Sequence, residues 1–171
     1  STLKSFGMYK ASSDLIGNLH IASLSAWCGV TQTYSLSGNP IYYATNVYFN
    51  GELLQDRLEI PEGVREIKSY AFVSRSSTTA PPALSRVRSV VLPNSLERIG
   101  ESGINLSGVT SVELGVRQIE FDLYSLNLSK VKTLTIPGSV GSIPDEAFKN
   151  YVALESVCGV LGYDAVARQV W

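Results

Sequence analysis

Few residues in this chain have the types and spacing that chemistry requires. His20 is the only histidine, and Cys28 and Cys158 are the only cysteines. A Ser-His-Asp arrangement would have to run through His20, yet no nucleophile-elbow sequence accompanies it. Lying between Leu19 and Ile21, this histidine reads as a packed or capping residue rather than a base. A metal site would rest on carboxylates and the two cysteines, and no two of these have ligand spacing. Glu113, Glu120 and Asp122 can be drawn as an acid pair, but solvated outer faces suit them better. The glycines are scattered at turns and form no phosphate-cradling loop. Asn105-Leu106-Ser107 and Asn127-Leu128-Ser129 match the acceptor pattern for N-glycosylation. The expectation is a protein that is not an enzyme and carries no cofactor and no metal.

Composition narrows the class further. With 171 residues, the chain can bury one substantial core and is short for two. Hydrophobic residues make up 44% and charged residues 17%, which excludes a disordered, strongly solvated chain. A net charge of -1 supplies no electrostatic footprint for nucleic acid or an anionic membrane. No apolar run approaches the roughly eighteen residues needed to span a bilayer. The chain starts at Ser1 without a basic-then-apolar leader, so a mature or trimmed product is expected. Two distant cysteines permit one disulfide and leave the redox compartment open.

The elements that would position any site repeat along the chain. An apolar-x-Ser/Thr-apolar string occurs at Val87-Arg88-Ser89-Val90, Val109-Thr110-Ser111-Val112, Val131-Lys132-Thr133-Leu134 and Leu154-Glu155-Ser156-Val157. Its starts are separated by 109−87 = 22, 131−109 = 22 and 154−131 = 23. A second motif runs in the same register. Leu58-Glu59-Ile60-Pro61 precedes Val64, Ile67 and Ala71-Phe72; Val90-Val91-Leu92-Pro93 precedes Leu96, Ile99 and Gly103-Ile104; Leu134-Thr135-Ile136-Pro137 precedes Val140, Ile143 and Ala147-Phe148. A worn copy, Val112-Glu113-Leu114-Gly115, is followed by Val116, Ile119, Leu123 and Tyr124, which reads as a two-residue deletion. Pro61 and Pro93 are 93−61 = 32 apart, and the Ser/Thr/Pro-rich stretch Ser74 to Ser85 accounts for the excess as a surface loop.

In each strand motif, alternation directs the flanking apolar side chains to one face and the middle residue to the other. The proline ends the pairing because it lacks an N–H. One coil is too thin to bury its own apolar side, so stability must arise from stacking on neighbours. The fold expected is a solenoid of about four to five stacked coils, repeating at the step of 22–23 found above. Each coil would hold a short parallel strand plus a turn or short helical segment. Asn105, Asn127 and Asn150 recur in phase with the coil, so they are expected to satisfy backbone groups in a turn rather than to carry glycans.

The string Leu-x-Ile-Pro-x-x-Val-x-x-Ile-x-x-x-Ala-Phe resembles the repeat of BspA-type leucine-rich repeat proteins. The resemblance covers about Leu53 to Val157. The stretch from His20 through Cys28, Asn39-Pro40 and Val47 to Leu53 also looks like a segment that precedes such repeats in some members. Family coils often carry a cysteine where this chain has Leu106, Leu128 and Tyr151. The resemblance implies an extracellular or cell-surface bacterial protein of the adhesin kind, and it brings no shared active site.

The ends differ from the middle. Residues 1–50 read as an N-terminal cap with a short helix over Ser23 to Val30, a loop from Ser35 to Pro40, and an aromatic-rich strand. Asn50-Gly51 should close a hairpin between Val47-Phe49 and Leu53-Leu54. Residues 51–160 hold the repeats, and 161–171 a C-terminal cap. The candidate binding surface is the strand face, with one column of Arg57, Ser89, Ser111 and Thr133 beside another of Glu59, Val91, Glu113 and Thr135. Tyr42, Tyr43 and Tyr48 form a second candidate patch, since tyrosine is favoured at interfaces. The expected partner is a protein or a glycan; the alternative is a spacer segment of a larger polypeptide with no ligand of its own.

Overall fold

The computed structural model describes residues 5–6, 16–32, 39–74, 83–115, 120–121, 125–126, 129–135, 153 and 155–158. The N-terminal segment contains β1 (Ser5–Phe6), β2 (Ile16–Ile21), α1 (Leu24–Cys28), β3 (Thr31–Gln32), α2 (Pro40–Tyr43), β4 (Ala44–Phe49) and β5 (Glu52–Leu53). The first coil supplies β6 (Arg57–Glu59), β7 (Glu66–Ile67) and β8 (Phe72–Val73). The second supplies β9 (Ser89–Val91), β10 (Arg98–Ile99) and β11 (Ile104–Asn105), and the third β12 (Ser111–Glu113) and β13 (Glu120–Phe121). Two further rungs follow, β14 (Thr133–Thr135) and β15 (Ser156–Cys158).

Successive coils stack rung on rung. β6, β9, β12, β14 and β15 form one five-stranded parallel sheet, in which Leu58, Val90, Val112, Leu134 and Val157 are in register. Of these, Leu58, Val90, Val112 and Leu134 are buried. The expected alternation holds, because Leu58 and Ile60 point inward while Glu59 is exposed. Backbone carbonyls stitch the approaches to the strands: Asp56 O accepts from Arg88 N and Ser89 N, and Arg88 O accepts from Thr110 N and Ser111 N.

The rest of each coil departs from expectation. Where the sequence predicts a turn or short helical segment, the described coils form two further parallel ladders. Ile67, Ile99 and Phe121 pair along β7, β10 and β13. Phe72 pairs with Ile104 along β8 and β11, and an isolated bridge joins Ile104 to Leu126. The third coil also corrects the two-residue deletion. Ile99 pairs with Phe121 and Ile104 with Leu126, giving steps of 121−99 = 22 and 126−104 = 22. Hence Phe121 and Ser125-Leu126, not Ile119 and Leu123-Tyr124, occupy the equivalent places. A slip of two preserves strand parity, so the apolar pattern alone could not tell these registers apart. Gly115, which reads as wear at the proline position, has a steric cause: a Cβ there would clash with the Pro93 carbonyl oxygen.

Two more readings change. The stretch Ser74 to Ser85 is not surface loop throughout, because Ala83 and Leu84 are fully buried at the start of a 3-10 turn (Ala83–Arg86). Counting back from Ser89 and Ser111, Leu84 is equivalent to Leu106, so the regular coil resumes there; residues 75–82 lie outside the described residues. Pro40 starts the helix α2 rather than ending a loop, with Asn39 as its N-cap. The short helix α1 forms as expected, capped by Ser23 and burying Leu24, Trp27 and Cys28. The hairpin also forms, with Tyr48 opposite Leu53 and positive φ at Asn50 and Gly51. One apolar core runs from Leu24 to Leu134. Ala147-Phe148, Asn127, Asn150 and the expected C-terminal cap lie outside the described residues.

Candidate binding face

The two predicted columns are real rows of the five-stranded sheet. Arg57, Ser89, Ser111 and Thr133 are register partners, and so are Glu59, Val91, Glu113 and Thr135. Ser156 and Cys158 extend them on the last rung. Neighbouring rungs are about 4.8 Å apart, so side chains recur at that interval on either side of the inward-facing apolar column. Ser89, Ser111, Thr133, Val91 and Thr135 are half-buried; Arg57, Glu59 and Glu113 are exposed. Arg57 Nε donates to Glu59 Oε2 at 3.0 Å, with the two side chains 55% and 64% exposed. An ion pair this wet contributes little stability. It does place charge on the sheet's terminal strand. The result is a strip of mostly short hydroxyl side chains, with charge on the first rung at Arg57 and Glu59 and on the middle rung at Glu113.

The tyrosine patch is not one cluster. Tyr42 and Tyr43 meet edge to face on α2, ring centroids 5.2 Å apart. Tyr48 on β4 instead stacks on His20, at 4.4 Å and 12°. All three tyrosines are half-buried. The same stack corrects the reading of His20, which is exposed and neither core-packed nor capping. In a strand, alternate residues face opposite ways, so the apolar neighbours Leu19 and Ile21 pack inward while His20 faces out. Glu113 and Glu120 belong to different ladders, β12 and β13; the Glu120 side chain and Asp122 lie outside what is described. Asn105 sits in the third ladder opposite Val73, not in a turn. Ser74 N donates to its backbone oxygen there.

Cys28 is a free, buried thiol, and desolvation pushes its pKa from 9.0 up to about 12. A protonated buried thiol is chemically inert, and no disulfide engages it. Tyr70 is raised above its ordinary value by its hydroxyl hydrogen bond to Glu101, with burial and the Glu101 charge adding. Among the described residues no group of three His, Cys, Asp or Glu could hold a metal ion. No described helix is long and apolar enough to cross a membrane.

Two sets of polar residues escaped the sequence reading. Asn39 is fully buried; its Oδ1 accepts from Ile41 N, and its Nδ2 donates to the carbonyls of Tyr70 and Ala71 at 2.6 and 3.4 Å. Trp27 Nε1 donates to the Ala71 carbonyl too, at 3.0 Å. Arg86, from the 3-10 turn, donates to Asn46 Oδ1 at 3.0 Å, and Asn46 Nδ2 to Asn18 Oδ1 at 2.9 Å. The Asn39-Pro40 pair was a usable signal, since Asn before Pro is a favourable Ncap–N1 combination. Nothing in the sequence points to Arg86, whose partner Asn46 is remote along the chain.

The BspA-type leucine-rich repeat region matches residues 44–159, in six copies, against the four to five coils expected. The match begins at the first residue of β4, inside the stretch read as cap. No curated protein and no solved structure matches the chain. The family region covers well over half of the sequence, and the chain belongs to the BspA-type leucine-rich repeat family.

Proposed function

We propose that this chain is a binding module without catalytic activity, a solenoid that presents its five-stranded face to a protein partner at a bacterial surface or in the extracellular medium. The observation that carries this reading is the registered pair of columns flanking Leu58, Val90, Val112 and Leu134. A strip of serines and threonines desolvates at low cost and offers both donors and acceptors. It is long enough for an extended contact, as repeat proteins use their concave sheets. The family's tie to surface proteins supports the location by analogy.

A double substitution on the strip, Ser111→Lys with Thr133→Lys, tests this. Both side chains point away from the core, so the melting temperature should stay close to the parent's. Capture of host matrix proteins by the parent, lost in the double variant, is the expected result. Equal capture by both proteins would remove the strip from the binding surface. Absence of any captured protein would favour a spacer role in a larger polypeptide.

A further inference from the structure

We propose that the outward face of the β2–β4–β5 sheet, with Arg86 at its margin, binds a carboxylate-bearing saccharide. This site is separate from the five-stranded strip and does not depend on the reading given for it. The register builds a two-row grid. Asn18 lies opposite Asn46 and His20 opposite Tyr48 across β2 and β4, while Leu53 of β5 lies opposite Tyr48. The alternate residues Val47 and Phe49 are buried, and Leu19 and Ile21 pack against the core. The grid therefore faces away from it. Its rows are two residues apart, about 6.5 Å.

One row is polar and internally tethered. Arg86 Nη1 is held by Asn46 Oδ1, and the Asn46 amide by Asn18 Oδ1. This relay fixes the guanidinium before any ligand arrives, which lowers the ordering cost of binding. Arg86 is half-buried, yet no carboxylate among the described residues pairs with it; its one partner is a neutral amide. A partly desolvated cation whose guanidinium has donors to spare among the described residues matches a carboxylate in charge and fork geometry. The second row is made of rings and one aliphatic side chain: His20 stacked on Tyr48, with Leu53 alongside. It offers apolar surface to the C–H side of a sugar ring, while Asn18 and Asn46 offer amide groups to its hydroxyls. An acidic peptide would more naturally pair along a strand edge through its main chain. Here the recognition groups are on the face.

Calorimetry of the full chain with sialyllactose and with a uronic-acid oligosaccharide tests the proposal. Each sugar is run beside its neutral counterpart, lactose or the carboxyl-reduced oligomer, and beside a polyglutamate peptide. At least one acidic sugar should bind, with its neutral counterpart about tenfold weaker or more, the scale of one charge-assisted contact. Arg86→Gln and Tyr48→Ala should each weaken it by about tenfold or more. Asn18→Ala touches no core residue and should weaken it by a smaller factor through loss of the tether. Arg65→Ala, an exposed cation outside both faces, should change nothing. The proposal is overturned if neither acidic sugar binds, or if binding is indifferent to both Arg86→Gln and Asn18→Ala in folded protein. Polyglutamate binding as tightly as the sugars would also overturn it, in favour of an acidic-peptide site.

Discussion

The N-terminal segment and the stacked coils reach stability by different routes. The coils rely on repetition of short rungs, each weak alone. Along the main sheet the paired positions step by 111−89 = 22, 133−111 = 22 and 156−133 = 23, and by 89−57 = 32 across the insertion. The segment before them has two longer strands, β2 and β4, and two short helices. It meets the coils through contacts that do not recur along the chain. Besides the Arg86–Asn46 hydrogen bond, they converge on the stretch from Lys68 to Phe72 in the first coil. Cys28 O accepts from Lys68 N, Trp27 and Asn39 donate to the carbonyls of Tyr70 and Ala71, and Phe49 meets Phe72 edge to face at 6.3 Å. A repeat end exposes apolar surface unless something unlike a repeat covers it. The contrast predicts that damage is shared among coils but concentrated at the junction.

The largest effect is expected from Phe72→Ala, which strikes both regions at once. Phe72 is fully buried and touches the Phe49 ring as well as its own ladder, so the loss should be about 3–5 kcal/mol by denaturant unfolding. Asn39→Ala comes next, at about 2–4 kcal/mol, because it removes a helix cap and leaves the Tyr70 carbonyl without its donor. A loss below about 1 kcal/mol would mean that the junction is not held as described. Within the coils, Gly115→Ala should cost about 1–3 kcal/mol, since its Cβ meets backbone rather than a movable side chain.

A pH series sharpens the same comparison. The Cys28 pKa is raised from 9.0 to about 12 in the folded protein. The unfolded chain therefore loses its thiol proton first, and the protein loses stability as pH rises from 9 toward 12. Below pH 9 the contribution is fully present. At pH 10 about 1.4 kcal/mol should be gone relative to pH 8, and Cys28→Ala should abolish that part of the slope. Arg65→Ala should be nearly silent, within about 0.5 kcal/mol, because the Arg65–Glu97 pair is a surface contact whose side chains are 75% and 47% exposed.

The sequence made the first ladder legible because its signal is redundant. The same apolar-x-Ser/Thr-apolar string recurs, so the inward column and both outward columns follow from parity and step alone. The other ladders were harder to read. Val64, Ile67 and Phe72 stand out as apolar positions, but strands as short as β7 and β8 carry too little pattern to be separated from turns. In the third coil, Ile119 competes with Phe121 on equal parity, and only backbone pairing decides between them. The junction was hidden for another reason: Asn39 and Arg86 act through partners 31 and 40 residues away, and a distance in sequence of that kind leaves no local trace. His20 shows the same limit, since apolar neighbours in a strand imply the opposite facing.

The unbroken coil-to-coil register carries the account, because it sets which side chains share a column. Paired cysteines measure it directly in a Cys158→Ser background. Neighbouring rungs about 4.8 Å apart fall within disulfide reach. The account predicts that Arg98→Cys with Glu120→Cys cross-links readily on mild oxidation and keeps the parent melting temperature, whereas Arg98→Cys with Gln118→Cys does not. Efficient cross-linking of 98 to 118, with none between 98 and 120, would restore the two-residue deletion and contradict it.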